Sequence, residues 1–210
     1  MTEHIHLHST IQLNSRMLAS GSKVLWENVN DKDLNQSLKE VYQLLDMAYP
    51  KFYKMDNLSK FGVLAVEALV KVAPELKAGD LEKTGVFLMN SSSSEETDEK
   101  YLATVNTEEN SLPSPALFVY TLPNILIGEI CIRHKFTGEQ GFFVSAHFDS
   151  GFLYPYLEHL FQNELLEKAI IGWVEVKDEE PVAKLMYVKN NQDGGAKKIK
   201  EEAMKNWFQA

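Results

Sequence analysis

The chain has 210 residues, of which 44% are hydrophobic and 24% are charged, as is ordinary for one globular domain. Its net charge of -9, with only two arginines, Arg16 and Arg133, argues against nucleic-acid binding, because phosphate recognition needs a concentrated basic surface. A single cysteine, Cys131, excludes an internal disulfide, and the sequence shows neither a secretory signal nor an apolar run near the roughly 20 residues that cross a bilayer. We therefore expect a single domain, residues 1–210, in the cytoplasm.

The first predicted element is a strand at residues 5–13, in which apolar and polar positions alternate. His4, His6 and His8 share its polar face, which raises the hypothesis of a metal site. Such a site needs three or four convergent ligands, but His4 and His8 would stand roughly 13 Å apart along a strand. The pattern therefore favours a solvated strand face, and we expect neither a metal nor a cofactor.

Two helices are predicted next, after an irregular stretch that begins at residue 19. The first ends before Pro50, and the second starts at a cap, Asp56 or Asn57, carries a wide apolar stripe and ends near Pro74. The nearest approach to a basic patch consists of three lysines close to the start of the second helix: Lys51, Lys54 and Lys60. Such a group is more typical of a solvated face than of a binding site.

A continuous apolar run at Thr84–Asn90 predicts a central strand covered on both faces. The polar residues 91–111 contain a serine run but no Gly-x-x-x-x-Gly-Lys pattern, so a flexible surface excursion is favoured over a phosphate loop. Pro115 then marks the first turn of a helix that is kinked at Pro123. Cys131 lies beside the apolar stripe of that helix and is interpreted as a buried structural residue.

The remaining sequence predicts five elements and a linker: a strand at 142–147, a helix at 151–166, an antiparallel hairpin of strands at 168–177 and 182–189, a linker at 190–195 and a short helix at 196–208. The helix at 151–166 has apolar side chains over much more than one face. It therefore needs cover on a second side, either from another subunit or from the C-terminal helix around Trp207. Another subunit can cover a larger area than a short helix, so cover by another subunit is favoured.

A strand-to-helix corner at Asp149, Ser150 and Gly151 is the best candidate for a functional site. The free N–H groups and positive potential of a helix N-terminus favour developing negative charge there. His147 and Asp149 could act as an acid/base pair. The simpler interpretation is that Asp149 caps the helix and that His147 has a core or interface role.

Three stretches of this region, residues 122–138, 144–152 and 169–176, carry a resemblance to a known family. They resemble the N-terminal half of a β-ketoacyl synthase of the thiolase-like superfamily. In that family an Asn-containing helix and a glycine turn precede a strand that ends in Thr-Ala-Cys-Ser-Ser-Gly, and a Gly-Gly-Val-Glu strand follows. The resemblance implies an α/β fold: a thiolase-like half with three α/β/α layers and a mixed five-stranded sheet of order 3-2-1-4-5, numbered along the chain.

The nucleophilic cysteine of that family has no counterpart here. Alignment on Ser150 and Gly151 places Phe148 at its position, whereas alignment on the residues before the corner places His147 there, and neither is a thiol. The two histidines that the family's C-terminal half supplies are also lacking. We therefore predict a degenerate nucleophile corner without a catalytic residue, formed by His147, Phe148, Asp149 and Ser150.

The resemblance implies a non-catalytic subunit, similar to the chain-length-factor partners that work beside an active synthase in fatty acid, polyketide or aryl polyene biosynthesis. The alternative is a small enzyme that binds or hydrolyses acyl thioesters with His147 and Asp149. The expected partner is a second copy or a full-length β-ketoacyl synthase, with an acyl carrier protein as a further candidate. The predicted interface comprises an edge strand and the helix that follows it: Phe142, Phe143, Val144, Tyr156 and Leu160.

Overall fold

One mixed β-sheet organises the computed structural model, which describes residues 5–105, 113–177, 181–190 and 196–209. The strands are β1 (His6–Asn14), β2 (Met17–Ser20), β3 (Lys23–Glu27), β4 (Thr84–Asn90), β5 (Gln140–Val144), β6 (Lys168–Glu175), β7 (Val182–Lys189) and β8 (Lys197–Lys198). The helices are α1 (Leu34–Leu44), α2 (Asn57–Val72), α3 (Glu95–Val105), α4 (Pro115–Tyr120), α5 (Ile125–His134), α6 (Ser150–Gln162) and α7 (Glu201–Gln209), with 3-10 turns at Pro50–Lys54, Pro74–Lys77 and Leu81–Lys83. The predicted linker at 190–195 lies, except for Asn190, outside the described residues.

Strand β4 is the centre of the parallel part of the sheet, and all of its residues are buried. It pairs in parallel with β5 on one side and with β6 on the other, and β6 pairs with β7 as an antiparallel hairpin. The predicted place of the strand at 142–147, at the sheet edge beside β4, is therefore confirmed, although this strand ends at Val144. The predicted hairpin is confirmed as well.

The N-terminal strand lies elsewhere than predicted. The sheet order is β3-β2-β1-β7-β6-β4-β5, with β8 paired to β1, so β1 lies outside the hairpin instead of between β4 and β6. The five predicted strands therefore follow the order 3-2-4-5-1 rather than 3-2-1-4-5. A place between two buried parallel strands requires apolar residues on both faces, as in β4. The alternating polar residues of β1 suit its antiparallel pairing with β7 and β2.

Helices cover both faces of the sheet and give the predicted three layers. Val86 and Leu88 of β4 belong to one core, which is shared with α1, α2 and α5. Phe87 and Met89 point to the opposite face and belong to a second core, shared with α6 and α7. Both cores contain large side chains from the same strands, as expected when successive residues of a strand alternate between two buried faces. The predicted α/β class with three layers is confirmed.

The polar segment after β4 is helical, where the sequence predicted a flexible excursion. Helix α3 has three carboxylates in its first turn, where the positive end of the helix dipole stabilises them. Lys100 pairs with Glu96 one turn away at 2.6 Å, and α3 also packs against α4. These local interactions account for a helix in a segment whose polarity suggested none. Residues 106–112 lie outside the described part of the chain.

Two further differences arise at a proline and at a glycine. The predicted helix with a kink at Pro123 is in fact two helices, α4 and α5, because a proline ring clashes with the preceding turn and removes a hydrogen-bond donor. Strands β2 and β3, which were not predicted, form a meander with β1 and turn at Gly21, whose φ of +56 is left-handed. The Ser-Gly dipeptide between two short apolar runs was the available sequence signal.

Candidate functional site

The corner between β5 and α6 is built from backbone contacts and one capping carboxylate. Ser145 N donates to Asn90 O at 2.9 Å and carries the chain past the end of β4. Asp149 caps α6, because its Oδ1 accepts a hydrogen bond from Phe152 N at 3.0 Å. A carboxylate there satisfies a free helix N–H group and lies at the positive end of the helix dipole. The capping role that the sequence favoured for Asp149 is confirmed.

Phe148, one of the two residues that align with the family's nucleophile, is part of the core. It is 3% exposed and stacks on Phe208 of α7, with ring centroids 3.6 Å apart and an interplanar angle of 12°. Beside it, Ser150 is buried, and its Oγ lies 3.4 Å from Glu201 Oε1, which also belongs to α7. The C-terminal helix therefore covers the corner itself.

His147, the other aligned residue, is exposed at the surface. In the described part of the chain, no hydrogen bond or ion pair joins it to Asp149, whose carboxylate is already engaged as the helix cap. General acid/base catalysis requires the two groups to lie within hydrogen-bond reach. His147 and Asp149 are therefore close in sequence, but the structure does not bring their side chains together as an acid/base pair.

Helix α6 has cover on more than its sheet side. Leu153, Leu157 and Leu160 are buried in the core that α6 shares with the sheet and α7, and Leu160 is only 4% exposed. Tyr154 Oη donates to Ile199 O at 3.1 Å and holds the segment that leads into α7. Leu160, one of the predicted interface residues, is therefore covered within its own chain.

The free side of β5 carries an aromatic surface. Phe143 contacts Phe152 at 5.0 Å between ring centroids, and Phe152 stacks on Tyr156 at 5.9 Å. Val144 is 56% exposed and Phe152 is 44% exposed. We call Phe143, Val144, Phe152 and Tyr156 the edge aromatic surface. Phe142 packs instead against the helical core on the opposite face of the sheet. An apolar edge strand of this kind is a site where another chain can pair.

A buried polar network, which the sequence analysis missed, surrounds Glu129 in α5. Lys51 Nζ lies 2.7 Å from Glu129 Oε1, and the hydroxyl groups of Tyr49 and Tyr120 donate to the same carboxylate at 3.2 and 3.3 Å. Burial, together with the charge of Glu129, raises the pKa of both tyrosines. Lys51, considered above as part of a basic patch, thus neutralises an internal carboxylate. The sequence signal that could have revealed this network was Glu129 itself, a glutamate inside an apolar helical stretch.

The histidine strand is less solvated than predicted. His6 is buried, and His8 Nδ1 lies 3.2 Å from Glu75 Oε1 of the 3-10 turn beside it. His4 lies outside the described residues. Within those residues no three His, Cys, Asp or Glu side chains are grouped to bind a metal ion. Among the same residues, no helix combines the length and the apolar character that a membrane crossing requires.

Neither a protein-family model nor a curated protein sequence matches the chain, but solved structures do. The ishigamide ketosynthase/chain length factor aligns with 92% of this chain and 64% of its own, at 14% identity and a TM-score of 0.69. The complex AntDE:AntF, a type II polyketide synthase acyl-carrier protein with its ketosynthase, aligns with 91% and 64%, at 13% identity and a TM-score of 0.62. The ketosynthase ApeO with its chain length factor ApeC, from Xenorhabdus doucetiae, aligns with 90% and 79%, at 11% identity and a TM-score of 0.56.

The chain combines three layers, a parallel edge strand and a capped helix after that strand. The chain has the fold that ketosynthases and chain length factors share. It spans 64% of the length of the first two of these structures. At this level of identity the likeness establishes the fold, and activity has to be argued from the site.

Proposed function

We propose that the chain is a non-catalytic ketosynthase-like subunit that pairs with a complete β-ketoacyl synthase, as a chain length factor does, in polyketide, aryl polyene or fatty acid biosynthesis. The observation that carries this proposal is the corner, where buried Phe148 stacks on Phe208. A condensing enzyme needs an activated nucleophile at this point. An aromatic pair cannot provide one.

The single cysteine does not replace the missing nucleophile. Cys131 lies on α5, away from the corner, and burial raises the pKa of its thiol to about 11. Nucleophilic attack requires the thiolate, and reactive cysteines have a pKa lowered by neighbouring positive charge. At neutral pH this thiol stays protonated, in keeping with a structural role.

The edge aromatic surface supports pairing with a partner. It combines an unpaired strand edge, within the described residues, with exposed apolar side chains at Val144 and Phe152, and such an edge must be paired or covered. The structural neighbours include a ketosynthase with its chain length factor and a ketosynthase with its carrier protein. The net charge of -9 repels an acidic carrier protein, so we place carrier docking on the partner of the assembled pair.

The pairing can be tested by co-expressing the tagged chain with a full-length β-ketoacyl synthase encoded in the same genome. We expect a one-to-one complex by light scattering, which Val144→Asp abolishes because it places a charge at the strand edge. The matched control is Val29→Asp. Val29 is 76% exposed and follows β3, the strand at the opposite end of the sheet order from β5. Persistence of the complex in Val144→Asp, or a homodimer that excludes the synthase, would contradict the proposed pairing.

The absence of catalysis is tested in the same preparation without the partner. We expect no condensation of malonyl and acyl thioesters by the chain alone, by Phe148→Cys or by His147→Cys, since a new thiol gains no activating base. Condensation by any of these would overturn the proposal. Hydrolysis of an acyl thioester that is lost in His147→Ala would instead support the alternative enzyme.

A further inference from the structure

A cleft lies at the end of the sheet opposite the corner. β4 and β6 begin there at Thr84 and Lys168, and β7 ends there at Lys189, which pairs with Lys168. The corner follows the other end of β4, roughly 20 Å away along the strand. The cleft has a volume of about 570 Å³, and three lysines and three glutamates line it together with Tyr187.

Tyr187, Glu75 and Lys168 line the cleft and are called its floor here. The first two each carry a buried polar atom that lacks a hydrogen-bond partner. Tyr187 has no exposed surface, and neither its hydroxyl group nor Glu75 Oε1 has a hydrogen bond. His8 Nδ1 lies 3.2 Å from that carboxylate oxygen, within ion-pair distance but outside hydrogen-bond geometry. Folded proteins rarely leave such groups unpaired, because each carries a desolvation penalty. A bound molecule that both accepts and donates hydrogen bonds would satisfy the two atoms together.

Lys168 adds a second donor to the floor. Its side chain is buried, and its Nζ donates to the backbone oxygens of Ala78 and Glu75. An ammonium group has three N–H donors, so one remains for a ligand. Burial and the negative charge of Glu75 raise the pKa of Tyr187, which keeps its hydroxyl group a donor at neutral pH. The floor therefore offers two donors beside one carboxylate acceptor.

We propose that this cleft binds a small zwitterion of the α-amino acid class. Its carboxylate accepts hydrogen bonds from Tyr187 and Lys168, and its ammonium group donates to Glu75. The charge of the lining supports this choice: Lys83, Lys168 and Lys189 balance Glu75, Glu164 and Glu167. A simple anion or cation would face as many like charges as opposite ones, whereas a zwitterion matches both. The cleft and the corner lie at opposite ends of the sheet, so this proposal does not rest on the proposed function.

The test is calorimetric titration of the chain with each standard amino acid separately. For the tightest ligand, the carboxylic acid that lacks its ammonium group and the amine that lacks its carboxylate serve as matched probes. We expect the amino acid to bind and both probes to bind at least about tenfold more weakly, the equivalent of one hydrogen bond to a charged group. Equal binding of the carboxylic acid would overturn the proposal in favour of a plain anion site.

Variants assign the binding to this cleft. Tyr187→Phe removes an unpaired hydroxyl group and should leave the fold intact while weakening binding about tenfold. Tyr53→Phe, at an exposed tyrosine, is the control and should bind like the wild type. Glu75→Gln is a second test: it should also weaken binding of the amino acid, because it removes the negative charge that faces the ammonium group. The proposal is wrong if no amino acid binds, or if Tyr187→Phe and Glu75→Gln both bind as the wild type does.

Discussion

His134, near the end of α5, shows how a buried titratable group responds to its surroundings. It is 2% exposed, and neither of its ring nitrogens has a hydrogen bond. Glu67 Oε2 lies 3.5 Å from its Nε2 but already accepts a hydrogen bond from Arg133 Nε at 2.6 Å. Burial lowers the pKa of His134 to about 4; Glu67 opposes this shift, and Arg133 and Lys77 add to it. The ring is therefore neutral at pH 7.

This residue predicts a loss of stability in mild acid. Between its folded pKa of about 4 and its unfolded pKa of about 6.5, the unfolded chain binds more protons than the folded chain, so stability falls as the pH falls. From pH 7 to about 4.5, His134 should remove about 2 kcal/mol of the free energy of unfolding. Denaturant unfolding at both pH values should show a smaller loss for His134→Phe than for the wild type.

The control for this measurement is His147→Gln, which removes a histidine that is exposed at the surface. Comparing each variant with itself at two pH values removes any packing change that the substitution causes at neutral pH. Equal losses in the wild type and in His134→Phe would show that His134 does not titrate in this window.

At the scale of elements, α7 is held by contacts of several kinds. Phe208 stacks on Phe148, Tyr154 bonds to the backbone of Ile199, and Lys184 Nζ lies 3.4 Å from Phe208 O at the end of the helix. A positive charge at a helix C-terminus is favourable. Apolar burial nevertheless contributes most of the stabilisation of α7, because Met204 and Phe208 are buried in the core that α7 shares with α6.

Removing the aromatic stack should therefore loosen α7. Phe208→Ala is expected to lower the free energy of unfolding by about 3 kcal/mol, the usual cost of deleting a buried aromatic ring. Gln209→Ala, at the exposed neighbouring position, should change it by less than about 0.5 kcal/mol. Chemical denaturation measures both, and similar values for the two variants would mean that α7 is not packed as described.

At the scale of the whole molecule, the two sides of α6 differ in what covers them. Leu160 is buried within the chain, whereas Phe152 is 44% exposed and belongs to the edge aromatic surface. Exposed apolar patches on folded chains mark interaction sites. Val144 and Tyr156 of the predicted interface therefore remain candidates for contact with a partner, and exposed Phe152 joins them.

Substitution by glutamate separates folding from association. Leu160→Glu buries a charge and should cost more than about 3 kcal/mol, seen as loss of cooperative unfolding by circular dichroism. Phe152→Glu should keep the fold, because its position in the first turn of α6 favours negative charge. In the co-expression experiment, light scattering should then show less complex with the synthase than the wild type forms. An equal amount of complex, with the fold retained, would remove the edge aromatic surface as an association site.

The sequence by itself determined those elements whose patterns are local. An unbroken apolar run defined β4, adjacent apolar strands defined the β6–β7 hairpin, and Asp149 before an apolar helix defined the corner and its cap. The missing thiol was also plain from the sequence. These features follow from residue order because strand burial, turns and helix capping depend on neighbouring residues.

Only the tertiary structure decided which elements meet. The place of β1 outside the hairpin, the stack of Phe208 on Phe148 and the charges around Glu129 all join residues far apart in the chain. The cleft at Tyr187 likewise collects lysines and glutamates from separate elements. Such contacts depend on which buried surfaces fit together across the whole fold, and a local pattern of polar and apolar residues does not specify that choice.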